Sequence, residues 1–346
     1  MQASALTTSV SDEPGAGWDE FVAAQPGAAP YLAAAWTRLA RRAFGHRTFF
    51  IETRGADGQL RGVLPLVQQR GLLGNFATSI PFFNYGGPLA TDGSARDQLI
   101  ERARDLAMEL GCSYLELRDV QPHAALGSTR TDKVSMVLTL PATQAALGKQ
   151  LGSKLRSQIK RAERESPLTR TGGIELLDDF YRVFASNMRD LGTPVYPKRF
   201  FRLILETLPA ATALLIVYER GRAAAAGFLV FDRGRAEIPW AACLATAKPL
   251  GFNMRLYWDA LSFAIEKGCG SFDFGRSTRD SGTFKFKKQW GAEPLQLYWH
   301  RWERRPRPQD ARGESRVMRM ATAAWSRLPL GIANLLGPIV SPGLPW

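Results

Sequence analysis

Apolar and polar positions along the chain set out one pattern twice. Phe49-Phe50-Ile51-Glu52-Thr53 runs to a turn between Gly55 and Gly58 and returns as Gly62-Val63-Leu64-Pro65-Leu66-Val67. Later, Leu214-Leu215-Ile216-Val217-Tyr218-Glu219 turns around Gly221 and returns as Gly227-Phe228-Leu229-Val230-Phe231. Each reads as a β-hairpin. A further apolar stretch follows each one, and then a helix with apolar residues three and four apart. The first carries Leu99, Ala103, Leu106, Ala107 and Leu110, the second Leu256, Ala260, Leu261, Ala264 and Ile265. Both end in Gly-Cys, Gly111-Cys112 and Gly268-Cys269, where glycine suits the left-handed position just past a helix. The strands Tyr114-Leu115-Glu116-Leu117-Arg118 and Phe272-Asp273-Phe274-Gly275-Arg276 come next. The order predicts an α+β (mixed α/β) chain of two tandem domains, each a mixed, mostly antiparallel sheet flanked by helices. Such an order also recurs by chance, but the shared Gly-Cys junction and the shared strand acid, Glu116 and Asp273, favour duplication.

The repeat divides the chain into a first domain at 1–150, a second at 151–305 and a tail at 306–346. The second opens with a helix whose apolar stripe is Leu151, Leu155, Ile159 and Ala162. Lys154, Arg156, Lys160, Arg161 and Arg164 cover its other sides. A solvated basic face is one account of this. The other is an anion seat, since Ser153, Lys154 and Arg156 bring cations to free backbone N–H groups at a helix start. Charge sharpens the second account: residues 1–150 carry 14 basic and 14 acidic side chains, residues 151–305 carry 26 and 16. A polyanion such as RNA, a pyrophosphate-bearing ligand or an anionic membrane would meet the second half, although a basic surface also aids solubility.

Cys112, Cys243 and Cys269 lie far apart, and there are only three histidines, so no metal site is expected. The cysteines read as small buried residues in a reducing compartment. Asp12 and Glu13, with no basic start or apolar stretch around them, point to a chain kept in the cytoplasm. In the tail, Arg312, Arg316 and Arg319 alternate with Val317, Met318, Ala321 and Trp325, and an uncharged run from Leu328 to Val340 follows. That run is too broken by Pro and Gly to span a bilayer, which takes about 20 apolar residues. It packs on the body or lies peripherally on the inner membrane face.

The densest chemistry lies between Phe272 and Gly291. Asp273 points away from Phe272 and Phe274, where it can take a proton from an amine or pair with Arg276 or a backbone group. If Thr283 onward is a strand, Lys285 and Lys287 share a face, and with Arg276 they would clamp a phosphate, with Trp290 bounding the cluster. Tyr196, Tyr257 and Tyr85 are candidate proton donors, indistinguishable from buried core tyrosines. Asn84-Tyr85-Gly86-Gly87-Pro88 is a loop that closely approaches something, either a substrate wall or a tight turn. Arg189 and Asp190 end a helix that begins near Asp178, where Arg189 either faces substrate or pairs with its neighbour. Gly251, Phe252 and Asn253 open a helix as a partial glycine loop, with Asn253 as an ordinary cap or as part of a pyrophosphate seat.

Ser153-Lys154-Leu155-Arg156-Ser157-Gln158-Ile159-Lys160-Arg161-Ala162, with the Asn84 loop and the Asp273 strand, resembles the FemAB-like branch of the GNAT acyltransferases. The stretches Met188 to Tyr196 and Thr283 to Gly291 look like the exosortase/PEP-CTERM-associated FemAB-type proteins. The resemblance covers roughly residues 15–305 and implies two tandem GNAT folds. It also implies transfer of an acyl or aminoacyl group to an amine, in envelope or exopolysaccharide synthesis, with no tightly bound cofactor. The expected co-substrate is acyl-CoA, with aminoacyl-tRNA as the alternative, because the second domain lacks the long helical insertion linked to tRNA in some bridge-forming members. The expected acceptor is a small-molecule or lipid-linked amine, and the number of subunits stays open. A reading from another class is a non-catalytic double-GNAT scaffold whose basic half holds RNA or an anionic glycolipid.

Overall fold

The computed structural model describes residues 6–71, 74–123, 126–305 and 316–344; Arg312 and the rest of 306–315 lie outside the described residues. Its first strands are β1 (Thr7–Ser11), β2 (Arg47–Arg54), β3 (Leu60–Gly71), β4 (Gly74–Thr78) and β5 (Leu89–Ala90). They continue as β6 (Tyr114–Asp119), β7 (Ser128–Arg130), β8 (Lys133–Thr139), β9 (Leu168–Gly172) and β10 (Thr212–Glu219). The last five are β11 (Arg222–Asp232), β12 (Arg235–Cys243), β13 (Ser271–Thr278), β14 (Glu293–Gln296) and β15 (Tyr298–Glu303). The helices begin with α1 (Trp18–Ala24), α2 (Ala34–Phe44), α3 (Gly93–Glu109), α4 (Gln144–Gln150), α5 (Ser153–Glu163) and α6 (Leu177–Asp190). After them come α7 (Lys198–Thr207), α8 (Phe252–Glu266), α9 (Gly282–Lys288), α10 (Arg316–Trp325) and α11 (Leu330–Val340).

Both hairpins form where the alternation puts them, β2 with β3 and β10 with β11, all antiparallel. Gly111 and Gly268 take left-handed φ of 69° and 74°, ending α3 and α8 in the same way. Beyond each helix the new strand pairs in parallel with one laid down earlier. Ala77 and Thr78 of β4 stand opposite Leu115 and Glu116, while Arg235, Ala236 and Glu237 of β12 stand opposite Ser271, Phe272 and Asp273. The strand acid thus occupies the same register position in both copies, the last rung of a short parallel ladder.

Two compact units result, and neither is one continuous stretch. The first comprises 1–133, 296–313 and 342–346, the second 134–295 and 314–341. Strand β8 and helix α4, counted above with the first domain, therefore belong to the second. The sheet of the second unit runs β14-β8-β13-β12-β11-β10-β9, and β15 returns to the first sheet beside β6. Each copy gives its late strand to the other's sheet, so the divide falls at 133/134 instead of the expected 150/151. Of the described residues after 305, α11 packs on α6, and Gln69 donates to the carbonyl of Pro342 at 3.3 Å.

In the second unit, α8 lays Leu256, Ala260, Leu261 and Ala264 on the sheet against Phe272 and Phe274, all buried. Each buried Phe of this kind stabilises the fold by about 1.5–3 kcal/mol relative to an exposed ring. This core fixes the side of β13 on which Asp273 cannot lie.

Candidate active site

Where β12 and β13 part, an acidic and basic cluster is buried. Their parallel ladder ends at Glu237 and Asp273, after which β12 follows β11 as far as Cys243 and β13 goes on to Thr278. Phe272 and Phe274 face the core with rings 4.9 Å apart, so Asp273 faces the other way, as alternation requires. Its Oδ1 accepts from Ser135 Oγ at 2.6 Å and from the Gly275 N–H at 2.7 Å. Gly275 sits at φ +76°, a conformation that turns this N–H back on the carboxylate. Of the two readings of Asp273, the backbone partner is present.

The segment after this strand is a helix where a strand was expected. Ser281 Oγ caps α9 by accepting from the Phe284 N–H at 3.2 Å. Phe-Lys-Phe-Lys is too short to distinguish a period of two from one of 3.6, and the cap decides it. The helix buries Phe284 and Lys287, three residues apart, and leaves Lys285 exposed along with Arg276 of β13. Lys285 and Lys287 consequently share no face, and the expected two-lysine clamp does not form.

Lys287 instead turns inward at 7 % exposure, its Nζ donating to the carbonyls of Gly275 and Arg276, each at 2.8 Å. Burial pulls its pKa down from 10.5 to about 8; the carboxylates of Asp273 and Glu237 oppose the shift and the charge of Arg276 adds to it. Three buried ionisable groups at the split of a parallel strand pair are the strongest chemical feature of this unit.

The aromatic candidates are core residues. Tyr257 is buried among Phe274, Phe286 and Trp290, and burial pushes its phenol far up. Trp290 is 2 % exposed. Tyr196 packs on Phe200, Phe201 and Trp240, and its carbonyl accepts from the Tyr181 hydroxyl at 2.9 Å. Arg189 bonds Asp190 at 2.8 Å and the carbonyl of Leu328 at 3.1 Å, which makes it a pairing residue here.

At the start of α8 the cap is Gly251, at φ +86°, and Asn253 lies inside the helix. The Gly251 N–H goes to the Lys248 carbonyl at 3.0 Å, that of Phe252 to Ala247 at 3.4 Å, and those of Met254 and Arg255 to Gly251 itself. Helix α5 packs across this corner through Leu155, Ile159 and Ala162, and a Cβ on Gly251 would lie 3.1 Å from the Gln158 carbonyl oxygen. Lys154 and Arg156 are exposed on the outer side of α5, with Arg156 also donating to the Leu151 carbonyl.

In the first unit, the loop Asn84 to Pro88 is fastened along β6. Trp299 Nε1 donates to the Asn84 carbonyl at 3.0 Å and the Gly86 N–H to the Arg118 carbonyl at 2.9 Å. Tyr85 packs edge-on to Tyr31 at 6.4 Å. A Cβ on Gly86 would lie 2.5 Å from Ile80, and one on Gly87 2.7 Å from Asp119 Oδ2, so both glycines serve the close approach of this loop to its own unit. Under it, Arg118 bonds Glu116 at 2.9 Å and the Phe83 carbonyl at 2.9 Å, with its guanidinium 4.3 Å from the Trp299 ring.

Sequence reasoning passed over Glu237, Ser135 and the pair His123 with Asp119, which bond at 2.6 Å. Glu237 carried a signal, a lone acid in the apolar run from Ala236 to Trp240; Ser135 carried none.

Residues 149–288 match the family described as "Acetyltransferase (GNAT) domain". Three solved structures share the fold. FemX superposes with a TM-score of 0.62 at 12% identity, covering 84% of this chain and 96% of its own. L-PGS from Bacillus licheniformis gives 0.56 at 14%, covering 92% and 98%. A tandem GNAT protein from the clavulanic acid biosynthesis pathway gives 0.56 at 12%, covering 88% and 100%. No curated protein matches this chain. The architecture is that of tandem GNAT-like domains, and the family match falls on the second unit.

Proposed function

We propose that the protein is an N-acyltransferase whose second unit carries the chemistry, moving an acyl group from an activated donor to an amine of an envelope or exopolysaccharide-related acceptor. The observation that carries this reading is the buried Glu237, Asp273 and Lys287 at the point where β12 and β13 separate. The amine nitrogen attacks the acyl carbonyl carbon, forming a C–N bond and a tetrahedral oxyanion. The carboxylates of Asp273 and Glu237 draw the proton from the attacking nitrogen. Two of the three N–H bonds of Lys287 are spent on Gly275 and Arg276, and the third steadies the oxyanion. The oxyanion then collapses, the bond to the leaving sulfur or oxygen breaks, and that atom takes the proton the carboxylates drew from the nitrogen.

Acyl-CoA is the donor class that the GNAT match supports. One observation favours aminoacyl-tRNA as a second reading: the first N–H groups of α8 are spent within the chain and α5 fills the corner a pyrophosphate would use. The motif resemblance to exosortase-associated proteins supports the envelope context, with the protein working from the cytoplasm.

Purified protein is incubated with a panel of acyl-CoAs and with charged tRNA, using envelope extracts as acceptor. Consumption of one donor is expected, with Lys287→Met slowing it on the order of 100-fold or more and Lys285→Ala leaving it within about threefold. Consumption of neither donor would replace this reading with the scaffold one.

A further inference from the structure

Helices α10 and α11 present a surface that their own unit does not use. One side of α11 is fitted to the body: Ala333 is 2 % exposed, and at Gly337 a Cβ would lie 2.9 Å from Val195. The other side carries Ile332, Leu335, Leu336 and Ile339, spaced as one helical stripe and 39–73 % exposed. On α10, Met318 and Met320 are exposed at 43 % and 64 %, and so are Arg319 and Ala321 to Ala324. None of the described side chains of α10 is buried, and a ten-residue helix of that kind is marginal in water on its own, as is a row of four outward aliphatic side chains.

The charge around the stripe says what covers it. From Arg316 to Trp346 the chain has three arginines and no Asp or Glu, and α11 has no charged residue at all. Arg319 and Arg327 are exposed to either side of Trp325, whose indole N–H is itself buried against the protein. The second unit holds 27 basic and 16 acidic side chains, so it approaches an anionic surface as a cation. A globular partner would have to match both an uncharged helix and a basic one. A bilayer with anionic headgroups provides both layers, apolar beneath and negative above. No helix of the described residues is long and apolar enough to cross a membrane, so the geometry is that of a helix lying in the plane of the surface.

We propose that α10 and α11 form a peripheral docking surface for an anionic bilayer, with Ile332, Leu335, Leu336 and Ile339 entering the headgroup boundary and Arg319 and Arg327 contacting lipid phosphates. The proposal rests on neither the donor nor the acceptor of the reaction, and it stands even if the protein proves to be a scaffold.

The full chain is sedimented with vesicles of phosphatidylcholine alone and of phosphatidylcholine with 30 mol % phosphatidylglycerol, which carry a negative surface potential. Binding to the anionic vesicles is expected, weakening several-fold from 0.1 to 0.5 M salt. The double variant Leu335→Glu with Ile339→Glu is expected to lower the partition coefficient about tenfold or more, and Arg319→Glu with Arg327→Glu to lower it about tenfold on anionic vesicles. All four positions are exposed, so unchanged circular dichroism and melting temperature certify the fold. Wild-type protein that stays in the supernatant overturns the proposal, as does Leu335→Glu with Ile339→Glu binding like wild type. So does a dimer in sedimentation equilibrium that this double variant splits while vesicle binding is unchanged, because the stripe would then belong to a second copy.

Discussion

Replacing Lys287 with methionine isolates the energetic consequence of burying an amine beside two carboxylates. The side chain is 7 % exposed and burial outweighs the carboxylates, so the folded protein releases the lysine proton near pH 8 and the unfolded chain near 10.5. Below pH 8 both states hold the proton, and the difference between wild type and variant is constant. Between 8 and 10.5 the unfolded chain binds more protons than the folded one, so wild-type stability rises with pH in that window. At about 1.36 kcal/mol per pH unit, the gain between pH 7 and pH 10 is about 2.5 kcal/mol, approaching about 3.4 well above pH 10.5. Methionine does not titrate, and the groups not coupled to Lys287 cancel in the comparison. Urea unfolding of both proteins at pH 7, 8, 9 and 10, followed by circular dichroism, therefore gives midpoint differences that move by roughly 1 M in favour of wild type. Parallel curves would refute the reasoning. They would mean that Lys287 titrates like an exposed amine, and its place as a buried group poised to meet a developing charge would fall with it.

Three further outcomes follow from other corners of the molecule. Gly251→Ala combines a φ of +86° with a Cβ only 3.1 Å from the Gln158 carbonyl oxygen, so it should cost about 1–3 kcal/mol in denaturant unfolding. Glu116→Leu leaves the guanidinium of Arg118, 3 % exposed as a side chain, without its carboxylate, and about 3 kcal/mol of stability should be lost, read as a fall in melting temperature. Burial pulls His46 from 6.5 down to about 4. The unfolded chain therefore protonates first as pH falls, and about 3 kcal/mol of stability present above 6.5 is lost on the way to 4; His46→Leu should lack that acid-side loss in unfolding measured from pH 7 to 4.

The local elements were legible because short-range physics specifies them. Alternation placed both hairpins, three-and-four spacing placed α3, α5 and α8, and glycines at the two Gly-Cys junctions marked left-handed residues. Sheet membership was not legible. Lys133 to Thr139 reads as a strand wherever it goes, and only pairing beside β13 assigns it to the second unit. The site was half visible. Asp273 was found because an acid between two phenylalanines must leave the core, whereas Lys287 was misplaced by one wrong period over seven residues. Its inward turn depends on the Ser281 cap and on carbonyls that Gly275 and Arg276 expose, neither of which appears in a hydropathy pattern.

The duplication explains why the two copies differ where they are most alike. Glu116 and Asp273 hold the same rung, yet the residue two positions on is Arg118 in one and Gly275 in the other. Arg118 folds back on Glu116, reaches the Phe83 carbonyl and lies on Trp299, so charge, polar backbone and aromatic surface are all satisfied at the strand split of the first unit. Gly275 has no side chain to do this, and its left-handed backbone instead offers a carbonyl that draws in Lys287 from α9. A neutralising arginine in the strand makes a static plug. A glycine there, with a buried lysine arriving from the next helix, makes a site in which a proton near pH 8 is held weakly enough to respond to a reacting group. The same fold thus holds a paired arginine in one copy and a candidate catalytic centre in the other, the two diverging at one position on one strand.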